Sequence, residues 1–539
     1  GENRILGGTV DIGAYEFVPV SVTPTPVTPV VNPTPVVNTT PTLNFNSFIN
    51  LLSISSPSPA LAFVNPGGAG GGSSLTLSEA FSAFDGKFSD SFGEYFGSSE
   101  GGSEGGSEGG SEGGSEGSNA NNSGGDRAEG IPDSSTTNAQ GGSNSESSSD
   151  GDSSEDTNSL ANSQASLNNV YLTTGVKPAL VYAIFVPPLG PGSDAEESPN
   201  DRLYIMLVPP TGESIVHPLP VTREMVIRTA DRFRNAAINT RRPTSFIAPS
   251  QKLYNWLIKP IEDDLAAMEI QHLTFLLDTG LRSVPVAALH DGQQFLVERY
   301  SLSLMPSMAL TDLNYTDVRG MDLLAMGAET FEDKNPLPAA GEELNLLTNQ
   351  VWKGSSYLNK DFTVDKLLEA RRNNSFRMIH LATHGEFKAG SPDESYIYLG
   401  DGKLPLSKIR ELGLHDPPVE LLVLSACETA LGDAQAELGF AGLAVMAGVK
   451  SALGGLWQVS DSGTLGLMTT FYEQLKEAPI KAEALRRSQL AMIRGETRLG
   501  EGEVITPSGA IALTQKLEGG GDLSHPYFWS AFTLIGTPW

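Results

Sequence analysis

Two predicted strand ends carry the side chains with the clearest catalytic potential in this sequence. The apolar stretch 377–383 (RMIHLAT) runs directly into His384 and Gly385, and the apolar stretch 420–426 (ELLVLSA) runs into Cys427. If both stretches are neighbouring parallel strands, their carboxyl ends meet at one edge of the sheet, where the reactive groups of open α/β sheets collect. A cysteine beside a histidine is a nucleophile beside a general base. The pattern therefore indicates a Cys–His dyad.

The same residues also allow plainer interpretations. A lone cysteine at the end of an apolar strand is often a small core residue, so on the residues alone an inert Cys427 stays an open alternative. His380 and His384 are four residues apart, roughly 13 Å on a strand, which is too far to share one metal ion. His380 is therefore interpreted as a core or supporting histidine. One cysteine in 539 residues excludes an internal disulfide and cysteine-based metal sites, and no metal or cofactor is predicted.

The segments before residue 165 differ in composition from the rest of the chain. Residues 1–17 are β-prone, and their GTVDIGAYEF resembles the closing strand of parallel β-helix domains in bacterial surface proteins. Residues 18–74 alternate Pro with Val and Thr and then become Gly-rich, which is typical of an extended stalk. Residues 98–164 begin with a Ser-Glu-Gly-Gly repeat and stay rich in Ser, Gly and acids. They are predicted to form a disordered acidic linker, because this composition buries too little apolar area to offset chain entropy.

Charge and hydropathy exclude two classes of partner. Acidic residues outnumber basic ones 64 to 35, for a net charge of −29 at pH 7. A nucleic-acid surface needs clustered Lys and Arg, so no nucleic-acid partner is predicted. No apolar run of about 18 residues exists, so no transmembrane segment is predicted. The chain starts at Gly, which indicates a processed product or a piece of a longer protein, and its compartment stays open: cytoplasmic, or cell surface or secreted if residues 1–17 belong to a surface protein.

Residues 75–97 are predicted to form an amphipathic helix. Phe81, Phe84, Phe88 and Phe92 recur at three to four residues and therefore share one helix face. An apolar face of this size packs against a core or docks on another protein. The second interpretation makes residues 75–97 a candidate site for a regulatory protein partner.

From residue 165 onward, short apolar strands alternate with helical stretches, which predicts an α/β fold whose mostly parallel sheet has helices on both faces. The remaining length is enough for two related halves, assigned to 165–320 and 321–539. The predicted strands are 179–186, 202–208, 273–278, 299–307, 377–383, 420–426 and 452–459. The predicted helices are 223–238, 253–268, 364–372, 438–448 and 463–478.

Four sequence blocks in this region resemble a CHAT domain, the bacterial caspase-like family related to separase. The blocks are HLATHGEF (380–387), VELLVLSACETALG (419–432), GLAVMAGVKSALGGLWQVSD (442–461) and HPYFWSAFTLIG (525–536). Their order and spacing match the family across residues 165–539. The Phe-rich helix resembles a segment that precedes this domain in cyanobacterial members. The family's usual N-terminal helical repeats are absent from this chain.

The resemblance implies a caspase-like fold and a cysteine endopeptidase that hydrolyses peptide bonds in a protein partner or in itself. Cys427 would attack the scissile carbonyl, His384 would protonate the leaving amine, and the backbone N–H groups of Gly385 and Cys427 would form the oxyanion hole. Two alternatives stay open, because many members of the family lack demonstrated activity. One is a catalytically silent caspase-fold scaffold that binds proteins, and the other is a surface-associated structural protein.

The resemblance also suggests a substrate preference. Separase-like members favour a basic residue before the scissile bond, which implies a carboxylate in the first substrate pocket. The candidate carboxylates are Asp461, Asp401, Glu386 and Glu428. Asp461 is favoured because it follows the predicted strand 452–459, the expected neighbour of the Cys427 strand. The competing interpretation makes Asp461 the N-cap of the next helix.

Overall fold

The structure is a computed structural model that describes residues 61–62, 74–97, 160–187, 197–429, 433–515, 517 and 521–539. At residues 427–429 the description covers the backbone. The predicted β-helix-like piece 1–17 lies outside the described residues, as do most of the stalk and of the acidic linker.

The described chain alternates strands and helices. The strands are β1 (Leu61–Ala62), β2 (Ser74–Leu75), β3 (Pro178–Val186), β4 (Arg202–Val208), β5 (Ile215–Thr222), β6 (His272–Leu277), β7 (Ser301–Leu304), β8 (Leu323–Gly327), β9 (Gly354–Leu358), β10 (Met378–Phe387), β11 (Tyr396–Leu399), β12 (Gly402–Pro405), β13 (Leu421–Thr429), β14 (Ser451–Gly455), β15 (Arg498–Gly500), β16 (Glu503–Thr506), β17 (Gly509–Ala512) and β18 (Phe532–Gly536). The helices are α1 (Leu77–Gly97), α2 (Leu160–Thr174), α3 (Arg223–Ala237), α4 (Ile247–Leu257), α5 (Glu262–Ala267), α6 (Leu296–Arg299), α7 (Ala340–Leu346), α8 (Val364–Asn373), α9 (Ala434–Ala441), α10 (Leu443–Ala447), α11 (Asp461–Leu475), α12 (Lys481–Ile493) and α13 (Pro526–Trp529). Among the described residues, no helix combines the length and apolarity that a bilayer crossing requires.

One large sheet organises the fold, with strand order β9-β8-β10-β13-β14-β18-β7-β6-β3-β4-β5 and the hairpin β11–β12 attached to the end of β10. Strands β3 to β7 form one half, and β8 to β14 with β18 form the other. Strand β18 joins them, antiparallel to β14 and parallel to β7, so the parallel strands of one half run opposite to those of the other. The prediction of an α/β fold with a largely parallel sheet is confirmed.

The central strands β10 and β13 are mostly apolar up to Ala382 and Leu424, and the described side chains of both strands are buried over nearly the whole length. A strand that is covered on both faces needs this continuous apolar pattern, whereas a half-exposed strand alternates. The pattern therefore explains why these two strands lie inside the sheet and bring their last residues to its carboxyl edge.

Several predicted boundaries differ from the structure. The predicted helix 253–268 breaks around Pro260 into α4 and α5, because proline lacks the N–H that the helix ladder needs. The predicted helix 438–448 divides at Gly442 into α9 and α10. The linker was expected to extend to residue 164, but α2 already begins at Leu160.

Helix α1 closely matches the helix predicted over residues 75–97. Phe81, Phe84, Phe88 and Phe92 are at most 1% exposed, and Phe81 and Phe88 pack on the Tyr182 ring with centroids 5.6 and 6.0 Å away. The interpretation of this face as a docking site for another protein is therefore wrong, since strands and helices of the same chain already cover it.

Candidate active site

The two strands that carry His384 and Cys427 are neighbours. Strands β10 and β13 pair in parallel, with Gly385 opposite Cys427 and His384 opposite Ala426. The register shifts between Leu381 and His384, so the ladder is irregular just before the histidine. Adjacent strands are about 4.8 Å apart, which brings the backbones of His384 and Cys427 to the same edge of the sheet.

The His384 imidazole is almost fully buried and oriented by a backbone group. Its Nε2 lies 2.8 Å from the Asn335 carbonyl oxygen, and the Phe331 ring packs edge-on with centroids 4.8 Å apart. A carbonyl oxygen only accepts hydrogen bonds, so Nε2 carries the proton and Nδ1 is the basic nitrogen of the neutral ring. Sequence reasoning missed Asn335, because a backbone carbonyl contributes no residue-type signal.

A buried polar network lies behind the two strands and is centred on Glu343 of α7. The His380 Nε2 lies 3.0 Å from Glu343 Oε1, and Ser425 donates its hydroxyl to Glu343 Oε2 at 3.3 Å. The Tyr472 hydroxyl lies 3.3 Å from His380 Nδ1. Burial, together with the Glu343 carboxylate, raises the pKa of Tyr472 well above its ordinary value. His380 is therefore a core histidine that links β10 to α7 and α11.

Asp461 occupies the first position of α11 but does not cap it. Ser460 is the N-cap and accepts the Gly463 N–H at 3.3 Å, so the N-cap interpretation of Asp461 is wrong. The Asp461 carboxylate instead accepts the Ala339 N–H at 3.3 Å. The preceding strand β14 ends at Gly455, earlier than predicted, and pairs in parallel with β13 as expected.

Asp461 and Glu343 share a small cavity with Ser425 and Ala426, the residues just before Cys427. Burial raises the pKa of the Asp461 carboxyl. The Ala339 N–H and His384 oppose this rise, and Glu343 adds to it. The cavity measures about 20 Å³, room for about one water molecule. Asp461 is thus within electrostatic reach of His384, but a long substrate side chain enters this cavity only if its walls move.

The other predicted pocket acids have different surroundings. Glu386 contacts Lys334 at 3.0 Å and Lys388 at 3.1 Å and accepts the Tyr398 hydroxyl at 2.8 Å. Burial raises the pKa of Glu386, but these donors outweigh it and the pKa is lowered. Glu428 pairs through its backbone with Glu386, since the two are register partners on β13 and β10.

Asp401 lines an open cleft of about 230 Å³ between the β11–β12 hairpin and the segment after β8. The cleft also contains Phe331 and Tyr398, whose rings lie 4.8 and 6.1 Å from the His384 ring. Its charged walls are Glu332, Asp333, Asp401 and Lys403. The structure therefore places Asp461 in a small cavity beside Ala426 and Asp401 in a larger cleft beside His384.

Among the described residues, no group of three or more His, Cys, Asp or Glu side chains is placed to hold a metal ion. The arrangement that the described residues do offer is a buried, oriented imidazole next to strand β13, which contains the one cysteine of the chain near its end.

Comparison with known proteins gives a family and distant structural neighbours. No curated protein sequence matches the chain. Separase of Saccharomyces cerevisiae, in its complex with securin, is 11% identical with a TM-score of 0.40 over 71% of this chain, which spans 32% of the separase chain. RgpB of Porphyromonas gingivalis, in the complex of its pro- and mature domains, is 10% identical with a TM-score of 0.33, and the match covers 58% of this chain and 76% of that one. The CHAT domain model matches residues 248–537, more than half of the chain, and this protein therefore belongs to the CHAT domain family.

Proposed function

We propose that this protein is a caspase- or separase-type cysteine endopeptidase that uses Cys427 as nucleophile and His384 as general base and acid. The observation that carries the proposal is the placement of His384, which is buried, fixed at Nε2 by the Asn335 carbonyl, and on the strand next to Cys427. A general base works only when its tautomer and orientation suit the proton that it removes.

The proposed reaction follows from that tautomer. The His384 Nδ1 takes the proton of the Cys427 thiol, and the sulfur bonds to the scissile carbonyl carbon of the substrate. The resulting imidazolium gives its proton to the leaving amine, and the peptide bond breaks. A water molecule then loses a proton to His384 and attacks the acyl-enzyme, which releases the carboxylic acid and restores the thiol.

The proposed oxyanion hole consists of the backbone N–H groups of Gly385 and Cys427. Support comes from their register, since the two residues are direct partners across β10 and β13. Gly385 also pairs with Ile397 of β11, so its N–H reaches a substrate only if the sheet opens locally at this residue. In other hydrolases, removing one such hydrogen-bond donor raises the activation free energy by about 3 kcal/mol.

We further propose Asp461 as the acid that binds a basic substrate residue before the scissile bond. It lies beside Ala426 at the end of the nucleophile strand, and its neighbour Glu343 adds a second carboxylate to the same cavity. A cationic side chain there would relieve the repulsion between the two carboxylates. Its entry requires the Leu337–Ala340 segment, which lines the cavity, to move outward.

The proposed activity is tested with a peptide library, using the full chain and Cys427→Ala as the control, with cleavage read by mass spectrometry. The chain has one cysteine, so alkylation by iodoacetamide reports on Cys427 alone. The proposal expects cleavage that the variant lacks, and a thiol that reacts faster near neutral pH than an ordinary cysteine. No cleavage together with an ordinary thiol would instead favour a catalytically silent scaffold.

A further inference from the structure

Helix α9 connects the two strands of the proposed dyad to the rest of the molecule. It begins at Ala434, seven residues after Cys427, and it contacts both β10 and β13. Its Phe440 packs edge-on against Phe387, three residues after His384, with ring centroids 5.6 Å apart. Any displacement of α9 would therefore move the segments that follow both catalytic strands.

A buried carboxylate ties α9 to the other half of the sheet. The Glu437 side chain is fully buried, and its Oε2 accepts the Gly280 N–H at 2.9 Å while its Oε1 accepts the Ser283 hydroxyl. The Arg234 guanidinium, also buried, lies 3.7 Å from Oε1. Burying such an ion is costly unless charge and hydrogen bonds compensate it. Because these contacts form in one position of α9, the Glu437 carboxylate favours that position over others.

A second tie comes from the last turns of α1. The Tyr95 side chain is 6% exposed, and its hydroxyl lies close to the Ser395 side chain and to the Asp433 carboxylate just before α9. Burial raises the pKa of Tyr95 to about 12, so its hydroxyl stays protonated at neutral pH. A Cβ at Gly439 would lie 2.9 Å from that hydroxyl, so the glycine of α9 allows the close approach.

Ser395 extends this second tie to the histidine strand. Its hydroxyl oxygen accepts the Lys388 N–H at 3.0 Å, and Lys388 is the first residue after β10. Tyr95 therefore lies between the segment after His384 and the helix after Cys427. It contacts both of them from helix α1.

We propose that Glu437 and Tyr95 are positioning residues, which together clamp α9 and thereby fix the segments after Cys427 and His384 relative to each other. This inference rests on the proposed function. Neither side chain is assigned contact with the reacting atoms; both act through α9 and Ser395. Helix α1 thus serves as an internal strap that the proposed active site needs, and displacements of about 1 Å in such supports can cost 100-fold in rate.

The test uses the full chain with two conservative variants, Glu437→Gln and Tyr95→Phe. Tyr254→Phe and Glu262→Gln are the matched controls, because the Tyr254 hydroxyl donates to Glu262 Oε1 at 2.7 Å within the other half. Hydrogen–deuterium exchange is followed over residues 388–395 and 434–441, and the pH profile of Cys427 alkylation is measured in parallel. A merely structural role would leave that pH profile unchanged.

The clamp variants are expected to exchange at least about fivefold faster in residues 434–441, the factor that one hydrogen bond contributes. Tyr95→Phe should also speed exchange in residues 388–395, and in both variants the thiol profile should move toward that of an ordinary cysteine. Unchanged exchange in both segments, or the same changes in the controls, would overturn the clamp. If the wild-type Cys427 is alkylated with the pH profile of an ordinary cysteine, the peptidase proposal fails. The hydrogen–deuterium exchange of residues 434–441 then decides by itself whether Glu437 and Tyr95 clamp α9.

Discussion

The polar groups after strand β6 and those after strands β10 and β13 show two different uses of strand ends. Asp278 directly follows β6, is buried, and receives Lys87 Nζ at 2.7 Å and the N–H groups of Phe185 and Thr279 at 2.8 Å each. Burial alone would raise the pKa of Asp278, but Lys87, Arg223 and the Phe185 N–H outweigh it and lower the pKa. This strand end is fully compensated, and its role is to hold α1 and α3 in place.

The Asp461 carboxylate, which lies beside β13 at the start of α11, is compensated less completely. Asp461 accepts the backbone N–H of Ala339, and burial raises its pKa, while the Asn335 carbonyl oxygen orients His384 at Nε2. Ionisable groups with shifted pKa values in such surroundings mark candidate functional sites more often than saturated ion pairs do. We infer that the completeness of compensation, and not the presence of charge, distinguishes the structural end of β6 from the candidate active site beside β10 and β13.

The largest effect is expected on the rate of peptide cleavage when the proposed general base, His384, is removed. His384→Ala should lower peptide cleavage by about 100- to 10,000-fold, the range that a general base contributes, with little change in melting temperature. The measurement is the rate of peptide hydrolysis together with a thermal melt. Retention of more than a tenth of the wild-type rate would argue against this assignment.

At the end of β6, by contrast, removal of the buried charge should change the stability of the fold. Asp278→Asn removes the buried carboxylate that pairs with Lys87 and Arg223, and it should lower the free energy of unfolding by about 3 kcal/mol. Arg223 keeps its contacts with Glu197 and Asp201, so Lys87 loses most. Asp322→Asn is the control, because its partner Lys353 is 84% exposed and surface pairs contribute about 1 kcal/mol or less. Urea denaturation measures both. Equal losses in the two variants would remove the distinction drawn between buried and exposed pairs.

A smaller, selective effect is expected at the proposed substrate pocket. Asp461→Asn should lower cleavage after Arg and Lys by about tenfold relative to other residues, since a lost charge contact costs roughly 1 to 2 kcal/mol. Asp401→Asn, in the open cleft, serves as the matched control and should leave this preference unchanged. The reverse pattern would move the basic-residue pocket to the cleft beside His384.

The smallest effect is a difference in pH dependence between the two strand ends. The lowered pKa of Asp278 means that its stabilisation is present above the ordinary Asp pKa of about 4 and is lost as the pH falls through the folded value. The raised pKa of Asp461 has the opposite sign, so its contribution is present below about pH 4 and is lost as the pH rises through the folded value. Unfolding of wild type, Asp278→Asn and Asp461→Asn in urea from pH 3 to 7 should show differences of opposite slope. Parallel slopes would contradict the assignment.

Sequence patterns predicted the features that depend on local periodicity. The apolar runs of β10 and β13 and the phenylalanine stripe of α1 correspond to buried elements in the structure, because burial on two faces or on one helix face leaves a direct trace in residue order. The covering of the α1 face was not predictable, since the pattern shows that a face is apolar but not what lies against it.

The contacts that support the site could not be predicted from the sequence either. Ser460 and Asp461 are adjacent and both favour N-cap positions, so only the backbone geometry distinguishes the cap from its neighbour. The Asn335 carbonyl reaches His384 across 49 residues of sequence, and Glu343 on helix α7 reaches His380 on strand β10. Such long-range contacts depend on the path of the chain between elements.

The position of β18 has a consequence for biosynthesis. This strand is translated after all the others of the large sheet, yet it lies between β14 and β7 and is the seam that unites the two halves. A ribosome that has made only the first 530 residues therefore holds two half-sheets, each with an unpaired inner edge. Because domains fold as units once their chain is available, the halves join only after the final strand has left the exit tunnel. A nascent or truncated chain would thus carry His384 and Cys427 without a united sheet, which delays the proposed proteolytic activity until the strand has left the exit tunnel and joined the two halves.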